Sequence, residues 1–320
     1  MKKLIILLFT VFLSVGSLSA QSTDVKKLIQ LANQGLVAAQ YNLGLMYYNG
    51  RGVPQDYAQA MKWFRLAADQ GYAKAQYNLG VVYRNGQGVP QDDAQAMKWF
   101  RLAADQGDAE AQFRLGVMYY DGQGIPQDYA QAVKWFRLAA DQGSAKAQFN
   151  LSAAYAKGEG VPQDDAQAWK WTRLAADQGD AKAQYNLGVR YRDGQGVPQD
   201  YAQAIKWTRL AADQGVANAQ YNLGVMYRNG RGVPQDDAQA VKWYRLAADQ
   251  GLAKAQEAVE PRWMTEHRAK FPGYWIIKGL AKAQEAVEPR WMTEHRAKFP
   301  GYWIIIGLLA ALLVIRLFRT

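Results

Sequence analysis

The chain contains 320 residues, of which 49% are hydrophobic and 21% are charged, and this composition excludes global disorder. It has no cysteine and only two histidines, His267 and His295, so disulfide frameworks, thiolate nucleophiles and thiolate zinc sites are excluded. The formal net charge of +10 divides into +3 over residues 1–35, +2 over 36–251 and +5 over 252–320. Because the body is nearly neutral, we expect no nucleic-acid partner.

The first 20 residues have the organisation of a secretory signal peptide. Lys2 and Lys3 form a positive start, residues 4–15 are almost entirely apolar, and small residues follow. We expect cleavage near Ser19 or Ala20. A buried helix and an uncleaved membrane anchor are the alternatives. The pattern predicts export through the secretory route into the periplasm or another extracytoplasmic space.

A capping helix is expected over residues 21–35, and a single motif then repeats from 36 to 251. Its glycines recur every 36 residues, at Gly35, Gly71, Gly107, Gly143, Gly179, Gly215 and Gly251. Six full units begin near Val37, Ala73, Ala109, Ala145, Ala181 and Ala217. Repeats of this length predict a solenoid, in which each unit buries its apolar face against its neighbours.

The first segment of each unit has the apolar period of an α-helix. In the second unit Ala75, Leu79 and Tyr83 fall at i, i+4 and i+8 on one stripe. Gly80 lies beside this stripe, and we expect it to let another backbone approach closely. Gly86 begins the linker that follows, and it suits a left-handed cap at the C-terminus of the helix.

The second segment of each unit is also predicted to be helical. Ala96, Trp99 and Phe100 fall at i, i+3 and i+4, and we expect the tryptophan of every unit to pack in the core. Asp92 opens this helix with Gln95 three residues later, which is the spacing of a capping box. The same pair recurs as Asp56/Gln59, Asp128/Gln131, Asp164/Gln167, Asp200/Gln203 and Asp236/Gln239. Each unit is therefore predicted to be a helix-turn-helix hairpin.

These motifs carry a family resemblance over about residues 24–256. The run A-x-A-Q-Y/F-x-L-G, then G-x-G-V/I-P-x-D, A-x-x-W and A-A-x-x-G, resembles the Sel-one-like repeat, a relative of the tetratricopeptide repeat. The resemblance implies an all-α, α/α superhelical solenoid that serves as a protein–protein adaptor. It also implies export for many bacterial members, and penicillin-binding or β-lactamase-like activity for cysteine-rich relatives. This chain lacks the paired cysteines of that branch.

The solenoid offers few groups for catalysis. Its serines are Ser144 and Ser152, and neither is followed three residues later by the lysine of an S-x-x-K site. The linkers lack the Lys-Ser/Thr of a phosphate-binding loop and the alternating acidic residues of a calcium loop. We therefore predict no catalytic residue, no metal site and no cofactor.

A row of polar residues in the first helices is the candidate binding site. It lies one position before the buried stripe, and its members are Asn42, Asn78, Arg114, Asn150, Asn186 and Asn222. Asparagine is a poor residue for the interior of a helix, yet it fills five of these six positions. We expect the row to bind the backbone of an extended peptide along a concave face. The alternative is that each asparagine makes a hydrogen bond within or between units.

The C-terminal part of the chain is a duplicated segment followed by an apolar one. Residues 251–277 recur unchanged at 279–305, and we assign 252–301 to a cap or spacer. Residues 302–320 carry two aromatic residues, an apolar run and a basic end, as a short transmembrane anchor does. The alternative is an apolar helix docked on protein or lying in the membrane interface.

Together these features predict an exported repeat scaffold, tethered to the inner membrane by its C-terminal helix. Its predicted function is to bind a protein or peptide in the cell envelope. Two alternatives stay open: a cell-wall enzyme or penicillin binder like the cysteine-rich relatives, and a secreted effector.

Overall fold

The computed structural model describes residues 25–259, and every regular element in that range is an α-helix. The described part begins with helix α1, which covers 25–33. The predicted signal peptide at 1–20, the duplicated segment beyond residue 259 and the predicted anchor at 302–320 lie outside the described residues.

Twelve helices of 13 residues each then form six hairpins of identical layout. The first helices of the units are α2 Val37–Asn49, α4 Ala73–Asn85, α6 Ala109–Asp121, α8 Ala145–Lys157, α10 Ala181–Asp193 and α12 Ala217–Asn229. The second helices are α3 Tyr57–Asp69, α5 Asp93–Asp105, α7 Tyr129–Asp141, α9 Asp165–Asp177, α11 Tyr201–Asp213 and α13 Asp237–Asp249. Each second helix packs on its own first helix and on the first helix of the next unit. The predicted all-α solenoid of six repeats is confirmed.

The chain divides into two compact units, of which one ends at Ala255 and the other begins at Gln256. Of the second unit, residues 256–259 are described, and they form the end of helix α14, Ala253–Val259. Between residues 25 and 259, no helix combines the length and the apolar character that crossing a bilayer requires.

The linker inside each hairpin is fixed by one glycine and one aspartate. Gly86 has φ 64°, the left-handed conformation predicted for it, and its N–H donates to the carbonyls at the end of α4. The Asp92 carboxylate accepts the backbone N–H of Gln95 at 2.9 Å, as the sequence predicts. The reciprocal bond of a capping box does not form, because the backbone N–H of Asp92 donates to the Tyr83 carbonyl at 3.0 Å. That bond closes the hairpin.

The core follows the predicted stripes. Ala75 and Leu79 of the first helix, and Ala96 and Phe100 of the second, are fully buried. The six core tryptophans are only 4–8% exposed, at Trp63, Trp99, Trp135, Trp171, Trp207 and Trp243. Their burial confirms the packing role that the sequence predicts.

The helical glycine makes room for the facing helix, as the sequence suggests: a Cβ on Gly224 would lie 3.1 Å from the Ala240 carbonyl oxygen. In the second unit the nearest atoms belong to an aromatic ring. A Cβ on Gly80 would lie 2.5 Å from Cδ1 of Phe100, so the glycine makes room for an aromatic ring.

In the fourth unit Ser152 takes the glycine position and Thr172 takes the ring position. The Thr172 hydroxyl donates to the Ala168 carbonyl at 2.8 Å. Threonine alone does not explain the serine, because in the fifth unit a Cβ on Gly188 would clash with the Thr208 hydroxyl.

Candidate functional site

The first helices expose one side, which we call the first-helix face. In the second unit this face carries Lys74, Asn78, Val81 and Asn85, all of them partly or fully exposed. The opposite side of the same helix carries the buried stripe. Because every unit has the same helix bounds, the face repeats six times along the solenoid.

The predicted asparagine row lies on the first-helix face. Asn42 is exposed, and the other five members are half-buried, namely Asn78, Arg114, Asn150, Asn186 and Asn222. The structure therefore places all six residues at the same position of successive first helices. Their contacts differ from unit to unit.

Two members of the row lie beside a tyrosine of the preceding unit. Burial raises the pKa of both tyrosines, Tyr41 and Tyr77. The side chain of Asn78 lowers the pKa of the Tyr41 hydroxyl, and that of Arg114 lowers the pKa of the Tyr77 hydroxyl, which offsets part of the rise. Both hydroxyls therefore stay neutral near pH 7, and both contacts join neighbouring units.

Two other members of the row cannot make this contact. The aromatic residues that precede Asn150 and Asn186 by one unit are Phe113 and Phe149, which have no hydroxyl. Neither asparagine side chain has a hydrogen bond within the described residues. Both asparagines are half-buried.

A cavity of about 230 Å³ opens on the first-helix face between the second and third units. It is lined by Val81, Arg84, Asn85, Phe100 and Arg114. Arg114 belongs to the predicted row, whereas sequence reasoning missed Arg84. The signal that could have found Arg84 is its place one turn after Val81, on the side of α4 that faces the next unit.

A buried glutamine in each first helix links neighbouring units, and sequence reasoning missed it as well. Gln112 Nε2 donates to the Ala104 carbonyl of the preceding unit at 3.1 Å, and its Oε1 accepts from Gln142 at 2.8 Å. The equivalent residues Gln40, Gln76, Gln148, Gln184 and Gln220 make the same pair of bonds. All six are 4–5% exposed. They position the first helices, and with them the face.

An arginine of each unit can bind a tyrosine of the next. Arg65 and Arg101 donate to the hydroxyls of Tyr83 and Tyr119, both at 2.6 Å. The same bond forms at two further junctions, from Arg137 to Tyr155 and from Arg209 to Tyr227. Between the fourth and fifth units Arg173 instead pairs with Asp177 at 3.0 Å. That junction is therefore built differently from the others.

The described part of the chain contains no cluster of metal-ligating side chains. Between residues 25 and 259, no group of three or more His, Cys, Asp or Glu side chains could hold a metal ion. The capping aspartates are engaged by backbone N–H groups of their own helices. The first-helix face presents amides, guanidiniums and apolar side chains.

Comparison with known proteins agrees with this geometry. The Sel1 repeat model matches six consecutive segments, at 37–72, 73–108, 109–144, 145–180, 181–216 and 217–252. The chain belongs to the Sel1 repeat family. Sel1 repeats generally mediate protein–protein interaction, and the family is typically a non-enzymatic scaffold.

Solved Sel1 repeat structures show the same fold. The chain is 41% identical to c5321, a protective antigen of uropathogenic Escherichia coli that displays an SLR fold, with a TM-score of 0.70. That match covers 80% of this chain and 52% of c5321, so the chain spans about half the length of that protein. A Sel1 repeat protein from Oxalobacter formigenes is 40% identical, with a TM-score of 0.68, over 75% of this chain and 68% of that one. No curated protein gives a significant match.

Proposed function

We propose that this Sel1 repeat chain binds an extended segment of a partner protein along its first-helix face. The observation that carries the proposal is the state of Asn150 and Asn186, whose half-buried carboxamides have no hydrogen bond within the described residues. A carboxamide can donate and accept at once, so it matches the N–H and C=O of an extended backbone. Because the carboxamides are half-buried, water competes less for these hydrogen bonds than at a fully exposed site.

The members of the row have different tasks in this proposal. Asn42, Asn150, Asn186 and Asn222 contact the partner segment directly. Asn78 and Arg114 also lie beside a tyrosine hydroxyl of the preceding unit, so in this proposal they contact both the junction and the ligand. In this proposal some members of the row contact the ligand, and others contact a neighbouring unit, so each of the two interpretations of the sequence applies to part of the row.

Replacing Asn78, Asn150 and Asn186 together by alanine tests the proposal. We expect the partner, first identified by crosslinking in intact cells, to be lost from pull-downs. The double variant Asn150→Ala/Asn186→Ala is the sharper test, since it leaves the contact between Asn78 and Tyr41 in place. Alanine has the higher helix propensity, so the double variant should melt no lower than wild type.

A matched control replaces two carboxamides of the second helices, Gln131→Ala and Gln167→Ala, whose side chains have no hydrogen bond within the described residues. This control should capture the partner normally. Early melting of the Asn150/Asn186 variant would place those side chains in structural bonds. Undiminished capture by a stable variant would refute the proposed face.

We also propose that the chain is exported and tethered to a membrane. The support is the sequence of residues 1–20, with its basic start and apolar run, and of residues 302–320, with its apolar run and basic end. In this arrangement the solenoid works in the cell envelope, and its partner is an envelope protein.

Two measurements test this location. N-terminal sequencing of the mature protein should begin near Gln21, and a chain that still starts at Met1 would contradict the cleaved signal. Deleting residues 304–320 should move the protein from the membrane to the soluble fraction. Release of the full-length chain by high salt alone would contradict a spanning anchor.

A further inference from the structure

Among the five junctions between units, the one between the second and third carries a pair of arginines. Arg84 lies near the end of α4, and Arg114 lies in the asparagine row of α6. The equivalent pairs at the other junctions are Tyr48/Asn78, Tyr120/Asn150, Ala156/Asn186 and Arg192/Asn222. This junction is therefore where two guanidiniums meet, and the cavity of about 230 Å³ lies there.

The donors of these two arginines are incompletely used. Arg84 Nη2 donates to the Gln123 Oε1 at 2.8 Å, but Arg84 Nη1 is buried and has no hydrogen-bond partner within the described residues. Arg114 Nε is likewise buried and unpartnered there. Five core tryptophans of the described residues also have a buried Nε1 without a partner, so the feature particular to this junction is the pair of guanidiniums that line one cavity. Two positive charges beside one cavity favour an anionic ligand.

Glu110 is the acidic group that already faces this site. It lies 3.5 Å from Arg114 Nη2, and the two side chains are 40% and 35% exposed. An ion pair this exposed is weak, and it uses a terminal nitrogen while leaving Nε free. Glu110 therefore neutralises part of the charge of Arg114 without filling the cavity.

The apolar lining narrows the class of ligand. Val81 lines the cavity beside the guanidiniums, with the buried ring of Phe100 beneath, and its apolar side chain suits the methylene groups of a ligand side chain rather than a small hydrated ion. The planar fork of arginine matches the two oxygens of a carboxylate. Asn85 adds a carboxamide at the same cavity.

We propose that this cavity binds an acidic side chain, Asp or Glu, of the partner segment. The inference rests on the proposed function, because it places one side chain of the segment that the first-helix face binds. The carboxylate accepts from the guanidinium groups of Arg84 and Arg114, and its methylene groups contact Val81. This contact fixes the register of the segment along the solenoid.

The repeat itself supplies a variant that removes the site without harming the fold. Arg84→Tyr/Arg114→Asn gives this junction the residues of the first one, where the Tyr48 hydroxyl donates to Gln87 at 2.8 Å. Arg245→Gln, at an exposed position of the last second helix, is a matched single-charge control. All three proteins should melt alike.

The first test uses small probes on the full chain. N-acetylglutamate amide, its uncharged glutamine analogue and inorganic phosphate are titrated while the arginine Nε–H signals are followed by NMR. We expect the glutamate probe to shift the Arg114 signal, the glutamine probe to leave it in place, and Arg84→Tyr/Arg114→Asn to abolish the response. Equal response to glutamine, or response to phosphate alone, would overturn the assignment of a carboxylate.

The second test separates this inference from the proposed function. Random peptides are selected by display on the wild-type chain and on the variants. Wild type and Arg245→Gln should select peptides with an acidic residue at one position, and those peptides should bind the double variant about ten- to a hundredfold more weakly. Selected peptides without acidic enrichment would refute the carboxylate site and leave peptide binding intact. Failure to select any peptide would refute the proposed function, while the glutamate titration would still decide the cavity.

Discussion

At the scale of single residues, the glutamine of each first helix is an essential connector. Gln112 is 4% exposed, and it satisfies one carbonyl of the preceding unit while accepting from Gln142 of its own unit. A buried amide with both ends paired joins two units in one geometry, because any shift would leave polar groups unpaired. The connector therefore sets the register of the first-helix face.

Replacing Gln112 by leucine should lower the free energy of unfolding by roughly 1–3 kcal/mol, because it leaves a buried carbonyl and a carboxamide without their partner. Chemical denaturation measures this change. The matched control is Gln127→Leu, which removes an exposed side chain that donates to the Tyr120 carbonyl at 2.7 Å. Water replaces that bond, so we expect an effect of about 0.5 kcal/mol or less. If both substitutions lower the free energy of unfolding equally, burial of the Gln112 hydrogen bonds does not add to their contribution.

Truncation of a core tryptophan should cost more. Trp135 is 4% exposed and packs against Ala103, Ala111 and Leu115. Trp135→Ala should lower the free energy of unfolding by roughly 3–5 kcal/mol, as for other large truncations in cores. Leu138→Ala removes a side chain that is 41% exposed in the same helix, and it should be nearly neutral. A melting midpoint of Trp135→Ala equal to that of wild type would contradict the packing role.

At the scale of helices, local chemistry made most of the fold predictable. The aspartate caps, the left-handed glycine at Gly86 and the apolar stripes of Ala75 and Leu79 depend on residues close in sequence. Because the same caps and apolar stripes recur in all six units, each unit supports the same prediction of two helices. The ring that packs on Gly80 was not predicted, because Phe100 reaches it from the other helix of the hairpin. Such a contact depends on the packing angle of two helices, which the sequence pattern does not specify.

The candidate site was only partly predictable for the same reason. The position of the row on one face follows from helical periodicity. Which asparagines are engaged depends on pairs one unit apart, such as Tyr41 with Asn78, against Phe113 with Asn150. The cavity needs Arg84 and Arg114 from different helices, so no single motif contains it.

The junction between the fourth and fifth units lacks two of the hydrogen bonds that join earlier units. It lacks the arginine–tyrosine bond, since Arg173 pairs with Asp177. It also lacks the loop bond of earlier junctions, because Ala156 has no group to reach Gln195. A methyl group on Gly196 would meet only Arg190 Nη1, at 3.8 Å, so no neighbouring backbone packs on this loop.

We therefore expect faster hydrogen exchange at the Gln195 amide than at the Gln123 amide. Both lie in the sequence D-G-Q-G and donate to a helix carbonyl at 3.0 Å, so their local chemistry is matched. The difference is that the Gln123 side chain accepts from Arg84 of the preceding unit. Amide exchange rates measured by NMR test this expectation. Ala156→Tyr should slow exchange at the Gln195 amide by restoring a hydroxyl partner for the Gln195 side chain. Equal exchange rates at the Gln195 and Gln123 amides of the wild-type protein would contradict a loose junction.

At the scale of the whole solenoid, stability should follow from neighbouring contacts alone. Each unit is bound to the preceding one by a buried glutamine, and to the next by its second helix. In such a chain the cost of a core mutation spreads to adjacent units and fades beyond them. The length of the solenoid can then change in steps of one unit.

Deleting residues 145–180, the fourth unit, should leave a folded solenoid. The deletion removes two helices of 13 residues and joins the third unit to the fifth in register. The new junction places Tyr120 opposite Gln195 and Arg137 opposite Tyr191, so both bonds missing from the natural junction can form. Circular dichroism should show unchanged helicity per residue and a single cooperative melt. A deletion of 145–172, which is 28 residues and breaks the 36-residue period, is the control and should lose cooperativity. If the in-register deletion unfolds while the control does not, the units are not interchangeable and the description of the solenoid by neighbouring contacts is wrong.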